Sequence, residues 1–106
     1  LFRVPLNARH SYYKYPLKLE EEIDRLKVAS YMKEVFGVET GFVYYPPCHL
    51  QPYYKEVFGT KEGDLPNAER TLKQVLCLPM HTALTDDDVQ YICESLKSTL
   101  STLAAR

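Results

Sequence analysis

The chain of 106 residues is poor in cysteine: it holds only Cys48, Cys77 and Cys93, widely spaced and with no C-x-x-C pair. An odd, scattered set excludes a disulfide framework and a zinc knuckle, which need closer, even-numbered spacing. Reduced thiols behaving as small hydrophobes fit this usage, and a reducing cytoplasm fits it too. An excess of one charge sign is also missing, since thirteen basic and fourteen acidic residues leave a formal charge of -1. With no basic surplus to neutralise a phosphate backbone, nucleic acid is excluded as a partner of the usual kind. Long apolar runs are absent, so no segment reads as a membrane-spanning helix. The four glycines, Gly37, Gly41, Gly59 and Gly63, form neither a G-x-G-x-x-G turn nor a P-loop. His10, His49 and His81 lie far apart and match no metal-ligand spacing. The start, Leu1-Phe2-Arg3-Val4-Pro5, lacks an initiator methionine, a charged n-region and an apolar h-region. It does not read as a signal peptide, and it reads as the middle of something longer.

What is present is ordinary globular usage, 45% hydrophobic and 25% charged residues. A chain of this size buries roughly 65% of its unfolded surface, enough for one modest core. Residues 1–10 carry Pro5 and Asn7 without periodicity and read as a connection. Ser11 to Leu19 is rich in aromatics and reads as a strand, with Pro16 placing it at an edge. Asp24 starts a helix carrying Leu26, Ala29, Met32 and Val35 or Phe36, which Gly37 stops. Val38 to Tyr44 favours extended chain. Pro52 opens a short helix through Tyr53, Tyr54 and Val57 that closes near Gly59. Asp64 before Leu65-Pro66 reads as the cap of a further helix with Ala68, Leu72, Val75 and Leu76 on its apolar face. Leu76 to Met80 is a short buried strand. Thr85-Asp86-Asp87-Asp88 is a capping box, and behind it Val89, Ile92, Cys93, Leu96, Leu100 and Leu103 form one stripe that places Cys93 in the core. The mixed order predicts an α/β (α+β) two-layer domain, a small mixed sheet covered by helices.

The densest polar and aromatic run is Tyr44-Tyr45-Pro46-Pro47-Cys48-His49-Leu50-Gln51-Pro52-Tyr53-Tyr54. Two readings are open. The prolines stiffen a loop that presents tyrosine rings, His49 and Gln51 as a ligand-facing wall. Alternatively the loop is packing, with its tyrosines over core edges and His49 bonded to a backbone carbonyl. Cys48 beside His49 suggests a thiol nucleophile, but neighbours in an extended segment point to opposite sides. Acidic residues cluster at helix starts, where capping accounts for them. The residues by themselves supply no catalytic, cofactor-binding or metal set.

Taken together, Gly37-Val38-Glu39-Thr40-Gly41, the Tyr44–Tyr54 run, Lys61 to Glu69, Leu76 to His81 and Leu84 to Val89 resemble the C-terminal region of DegT/DnrJ/StrS-type sugar aminotransferases. His10 to Tyr15 is similar to the family's strand leading into that region. The likeness spans nearly the whole chain, and the Tyr-Pro-Pro-x-His-Leu-Gln-Pro-Tyr-Tyr run is nearest the perosamine-synthase-like branch. The relatives of that branch have Thr-Arg-Pro where Thr40-Gly41-Phe42 stands here, and many members have His-Tyr at Val43-Tyr44.

The resemblance implies residues 11–106 as the small C-terminal domain of a fold-type I enzyme dependent on pyridoxal 5'-phosphate, joined by residues 1–10 to a missing large domain. Such enzymes are cytoplasmic homodimers that pass an amino group from glutamate to a nucleotide-linked keto sugar, in polysaccharide and aminosugar synthesis. The cofactor is held mainly by the large domain, and so is the lysine that bonds it; none of the lysines here sits in that motif. The piece alone is therefore expected to be inactive, with no catalytic or cofactor-binding residue of its own. Tyr44, His49 and Gln51 are the expected substrate-binding residues, Tyr44 lining the pocket and the other two shaping its entrance. The rival expectation is a stand-alone module that binds a nucleotide sugar or a protein without catalysis.

Overall fold

The structure, a computed structural model, describes residues 3–104; Leu1 and Phe2 of the expected connection, and Ala105 and Arg106 of the expected small domain, lie outside it. Its centre is strand β2 (Val75–Leu78), four residues that are all buried. Strand β1 (Tyr15–Lys18) pairs with it antiparallel, Tyr15 opposite Leu78 and Lys18 opposite Val75. Proline in a paired strand costs a ladder bond unless its nitrogen points away. Pro16 stands opposite Cys77, whose N–H and C=O are both spent on Gly41, at 2.7 and 2.8 Å. Pro16 therefore occupies a position of the pair that needs no donor, and the sequence places its one strand proline there without cost.

That Gly41 bridge is all that remains of the strand expected over Val38 to Tyr44. Tyr44, at φ 43°, turns the chain out of the extended run. The strand expected from Ser11 likewise shortens to four residues, because Tyr12 at φ 51° breaks the extended run. Where a mixed sheet is expected, both pairings among the described residues are antiparallel. The α+β class holds.

Helix α1 (Arg25–Phe36) begins and ends as the sequence dictates. Asp24 accepts from the Leu26 and Lys27 amides at 2.9 and 3.4 Å, and Gly37 takes the left-handed stop at φ 68°. Its buried stripe is Arg25, Val28 and Met32, while Leu26 and Val35 of the expected face are exposed. The helix is rotated by about one position from the expected face, because a buried arginine sits on its inward side.

Helix α2 (Pro52–Phe58) runs as expected to Gly59 but buries none of its residues. Helix α3 (Pro66–Gln74) departs from expectation. Asp64 does not cap it; its carboxylate accepts from the Lys61 amide at 2.9 Å and closes the preceding turn. The helix ends before Val75 and Leu76, which belong to β2, and its buried residues are the polar Glu69 and Gln74, with Ala68 exposed. Helix α4 (Asp86–Ala104) carries the expected capping box: Thr85 N–H donates to Asp88 at 2.9 Å and Asp88 N–H to Thr85 at 3.2 Å. It packs on α1 through Ile92, Ser95 and Thr99, with Leu96, Leu100 and Leu103 beside them. Thr99 answers its buried hydroxyl by donating to the Ser95 carbonyl at 2.8 Å. Cys93, expected in the core, is exposed, because one residue past Ile92 turns about 100° away from the packed stripe. The core is Leu19, Val28, Met32, Val38, Leu76, Leu78 and Ile92. No helix among the described residues is long and apolar enough to cross a membrane.

Candidate functional site: the tyrosine–proline loop

Between the Gly41 bridge and α2 the chain makes a compact loop whose shape is fixed from inside. After the cis Tyr45–Pro46 bond, Pro47 is buried and Cys48–Leu50 form a single 3-10 turn. That turn carries His49 inward. His49 is 8% exposed and its Nε2 lies 2.9 Å from Glu69 Oε1, a carboxylate 7% exposed. An ionised carboxylate only accepts, so Nε2 bears the proton. The same carboxylate accepts from the Gly63 amide at 2.9 and 3.1 Å and from the Leu65 amide at 3.3 Å. One side chain on α3 thus ties down both the tyrosine–proline loop and the turn before α3. The His49 N–H bond above all holds the Glu69 carboxyl below the usual carboxylate range; the Gly63 and Leu65 amides add to it while burial opposes it. Thr60 closes the arrangement by donating its hydroxyl to the His49 carbonyl. Gln51, half-buried, donates from Nε2 to the Pro46 carbonyl at 2.9 Å and braces the loop across its width.

A second clasp comes from α1. The Arg25 guanidinium carbon lies 4.1 Å from the centre of the Tyr45 ring and 4.5 Å from that of Phe42. Its Nη1 donates to the Leu72 and Val75 carbonyls at 2.6 and 3.1 Å. A planar guanidinium does both at once, stacking on aromatic faces and donating in its own plane. These two clasps leave Tyr44 outside: it is 74% exposed and in the left-handed region. Tyr53, Tyr54 and Phe58 form a further exposed aromatic group on α2, with ring centres 5.5 to 6.3 Å apart.

Of the three expected substrate-facing residues, then, Tyr44 faces out, His49 faces in and Gln51 bonds the loop to itself. The backbone carbonyl that the packing reading gives His49 is replaced by a side-chain carboxylate. Cys48 is exposed while the neighbouring imidazole turns inward, so the two do not form a thiol–imidazole pair. Burial pushes the Cys77 thiol up, against a weaker opposing effect of the Lys14 charge. Among the described residues no three histidine, cysteine or carboxylate side chains converge as a metal site. Sequence reasoning missed Arg25 and Glu69. Arg25 shares the i, i+3, i+7 stripe of Val28 and Met32, and that spacing could have found it; Glu69 carries no local signal.

Residues 2–97 match the DegT/DnrJ/EryC1/StrS aminotransferase family. The chain is 33% identical over 94 residues to a spore coat polysaccharide biosynthesis protein, SpsC, of Bacillus subtilis, covering 86% of this chain and 24% of that protein. It is 34% identical over 87 residues to a dTDP-4-dehydro-2,3,6-trideoxy-D-glucose 4-aminotransferase of Saccharopolyspora spinosa, covering 82% of this chain and 20% of the relative. Its fold superposes on the crystal structure of the aminotransferase TlmJ of Streptoalloteichus hindustanus with a TM-score of 0.80 at 34% identity, over 96% of this chain and 26% of that one. The chain spans about a quarter of the length of the proteins it matches.

Proposed function

The chain belongs to the DegT/DnrJ/EryC1/StrS aminotransferase family, and from that premise we propose that residues 11–106 are the small C-terminal domain of a sugar aminotransferase dependent on pyridoxal 5'-phosphate. Residues 1–10 are its connection to the large domain. The whole enzyme is a cytoplasmic homodimer that moves an amino group from glutamate to the keto carbon of a nucleotide-linked sugar, in the making of an aminosugar or polysaccharide. The cofactor, when bound, supplies the electron sink for that transfer. The residues present here do not fit its covalent attachment. None of the eight lysines sits in the motif in which the resemblance places the attachment lysine, and seven of them are exposed with Lys14 only half-buried, which does not favour the neutral amine that attack needs. The piece alone is inactive on this reading.

What this chain contributes is a preformed wall. The observation that carries the proposal is the tyrosine–proline loop, held inside by His49–Glu69 and underneath by Arg25, with Tyr44 presented to solvent. A loop whose order is already met by internal contacts loses little freedom when a ligand arrives. Tyr44 lines the sugar-nucleotide pocket, while His49 and Gln51 shape its entrance by fixing the loop's path. The test is the full-length protein, loaded with cofactor and given glutamate and a nucleotide-linked keto sugar. Release of 2-oxoglutarate matched by the aminated sugar is the expected outcome; glutamate left unconsumed with every keto sugar offered overturns the reading.

A further inference from the structure

Tyr44 forms one side of a concavity of about 240 Å³ whose other walls are His10, Ser11, Tyr13, Lys14, Pro16 and Val43. Its lining includes a cation, an imidazole, a hydroxyl and two tyrosine rings, and no carboxylate. Two other grooves carry carboxylates, Glu22 and Asp24 between the start of α1 and the end of α4 and Glu21 and Glu69 beside α3; a third, between Tyr15 and α4, has no carboxylate but no lysine or arginine either. Lys14 is half-buried, and its ammonium donates to the Phe42 carbonyl at 3.4 Å, with the Tyr13 ring centre at 5.6 Å. It takes part in none of the four ion pairs among the described residues. An ammonium with a carbonyl for acceptor and no carboxylate beside it is free to pair with an anion.

The neighbouring groups point the same way. His10 Nδ1 accepts the Tyr12 amide at 2.8 Å, so a neutral ring carries its proton on Nε2, which is left as a donor. The backbone is strained on both sides: Tyr12 and Tyr44 have φ of 51° and 43°, the non-glycine residues of positive φ among those described. Such strain gathers where surrounding structure holds a chain for a ligand.

We infer that the Lys14–His10–Tyr44 concavity is a phosphate subsite. Lys14 and His10 donate to the oxygens of a phosphate or diphosphate group, and the Tyr13 and Tyr44 rings flank whatever the phosphates carry. Naming that ligand as the diphosphate of a nucleotide-linked sugar rests on the aminotransferase reading above; the anion chemistry does not.

The test is a titration of the chain, followed by amide chemical shifts, with inorganic pyrophosphate and separately with the nucleoside diphosphate dTDP. Pyrophosphate is expected to move the amides of residues 10–14 and 43–44. Lys14→Met is expected to weaken it about tenfold or more, the loss of one charge-assisted hydrogen bond, and Lys14→Arg to restore most of it. His10→Ala, at an exposed position, is a second variant that also weakens binding should Lys14→Met disturb the fold. Tighter binding of dTDP with shifts of the Tyr13 and Tyr44 ring signals assigns a nucleotide; equal affinity for the two assigns phosphate alone. Shifts absent from these residues, or unaltered by both substitutions, overturn the subsite. The titration needs no amino transfer, so an inactive full-length protein with intact binding would refute the function and leave the subsite standing.

Discussion

His49 Nε2 and Glu69 Oε1 meet 2.9 Å apart with both side chains nine-tenths buried, joining a proline-rich loop to a helix 20 residues further along. The contact looks like a catalytic dyad and behaves as a fastener. The imidazole's proton and both carboxylate oxygens are engaged by the chain's own groups, and Tyr44 is left facing outward.

The fastener should fail in a graded way. Glu69→Ala leaves the His49 N–H and the Gly63 and Leu65 amides without their acceptor, and an unmade buried bond costs more than a made one contributes. Glu69→Gln keeps an acceptor oxygen at the same reach. Thermal unfolding followed by circular dichroism should show a larger fall in Tm for Ala than for Gln. Equal falls would mean that the bonds to Glu69 contribute nothing.

Acid should weaken the fold. Four carboxyls lie below their ordinary range: Glu69 through His49 first, Asp64 through the Lys61 amide, Asp88 through the Thr85 amide, and Glu39 through a hydrogen bond from Lys33. A depressed folded pKa means that the unfolded chain binds protons first. The stabilisation is therefore complete above the unfolded carboxyl values of about 4 and is lost as pH falls through the lower folded ones. Urea midpoints should be nearly flat from about pH 7 to 5 and drop below about pH 4. In Glu69→Gln the drop should be shallower; an unchanged slope would remove Glu69 from the account.

Arg25 should resist its usual replacement. Its guanidinium stacks between two rings while donating to two carbonyls, which an ammonium cannot reproduce. Arg25→Ala should cost about 3 kcal/mol in urea unfolding, for two charge-assisted bonds and a stacked ring pair. Arg25→Lys should recover less than half of it.

The structure separates two residues that the sequence places alike on apolar helix stripes, Met32 on α1 and Cys93 on α4. Met32 is fully buried and Cys93 is exposed. Met32→Ala should cost about 2–5 kcal/mol, and Cys93→Ser less than about 0.5 kcal/mol. A native Cys93 that fails to react with iodoacetamide would contradict its surface position.

Local signals were legible and long-range ones were not. The Asp24 cap, the Gly37 stop, the Pro52 start and the Thr85–Asp88 box each depend on residues within four positions of one another, so sequence alone places α1, α2 and α4. Asp64 closes the turn at Lys61 and not the helix after it, because the same carboxylate chemistry serves either. The stretch from Val38 to Tyr44 pairs only at Gly41; β-propensity does not register the positive φ of Tyr44. The partners of His49 and Arg25 lie 20, 47 and 50 residues away. No periodicity reports such pairings; only the folded chain brings them together. Tyr44 was singled out on its resemblance to the family, and its exposure is consistent with a part in a wall that faces a ligand.

The measurement that bears most directly on that wall is steady-state kinetics of the full-length protein carrying Tyr44→Ala, with glutamate and the nucleotide-linked sugar varied in turn. The account predicts a KM for the sugar raised about tenfold, the worth of one ring contact, with the glutamate half of the reaction unchanged. Sugar kinetics identical to those of the unaltered protein would contradict it.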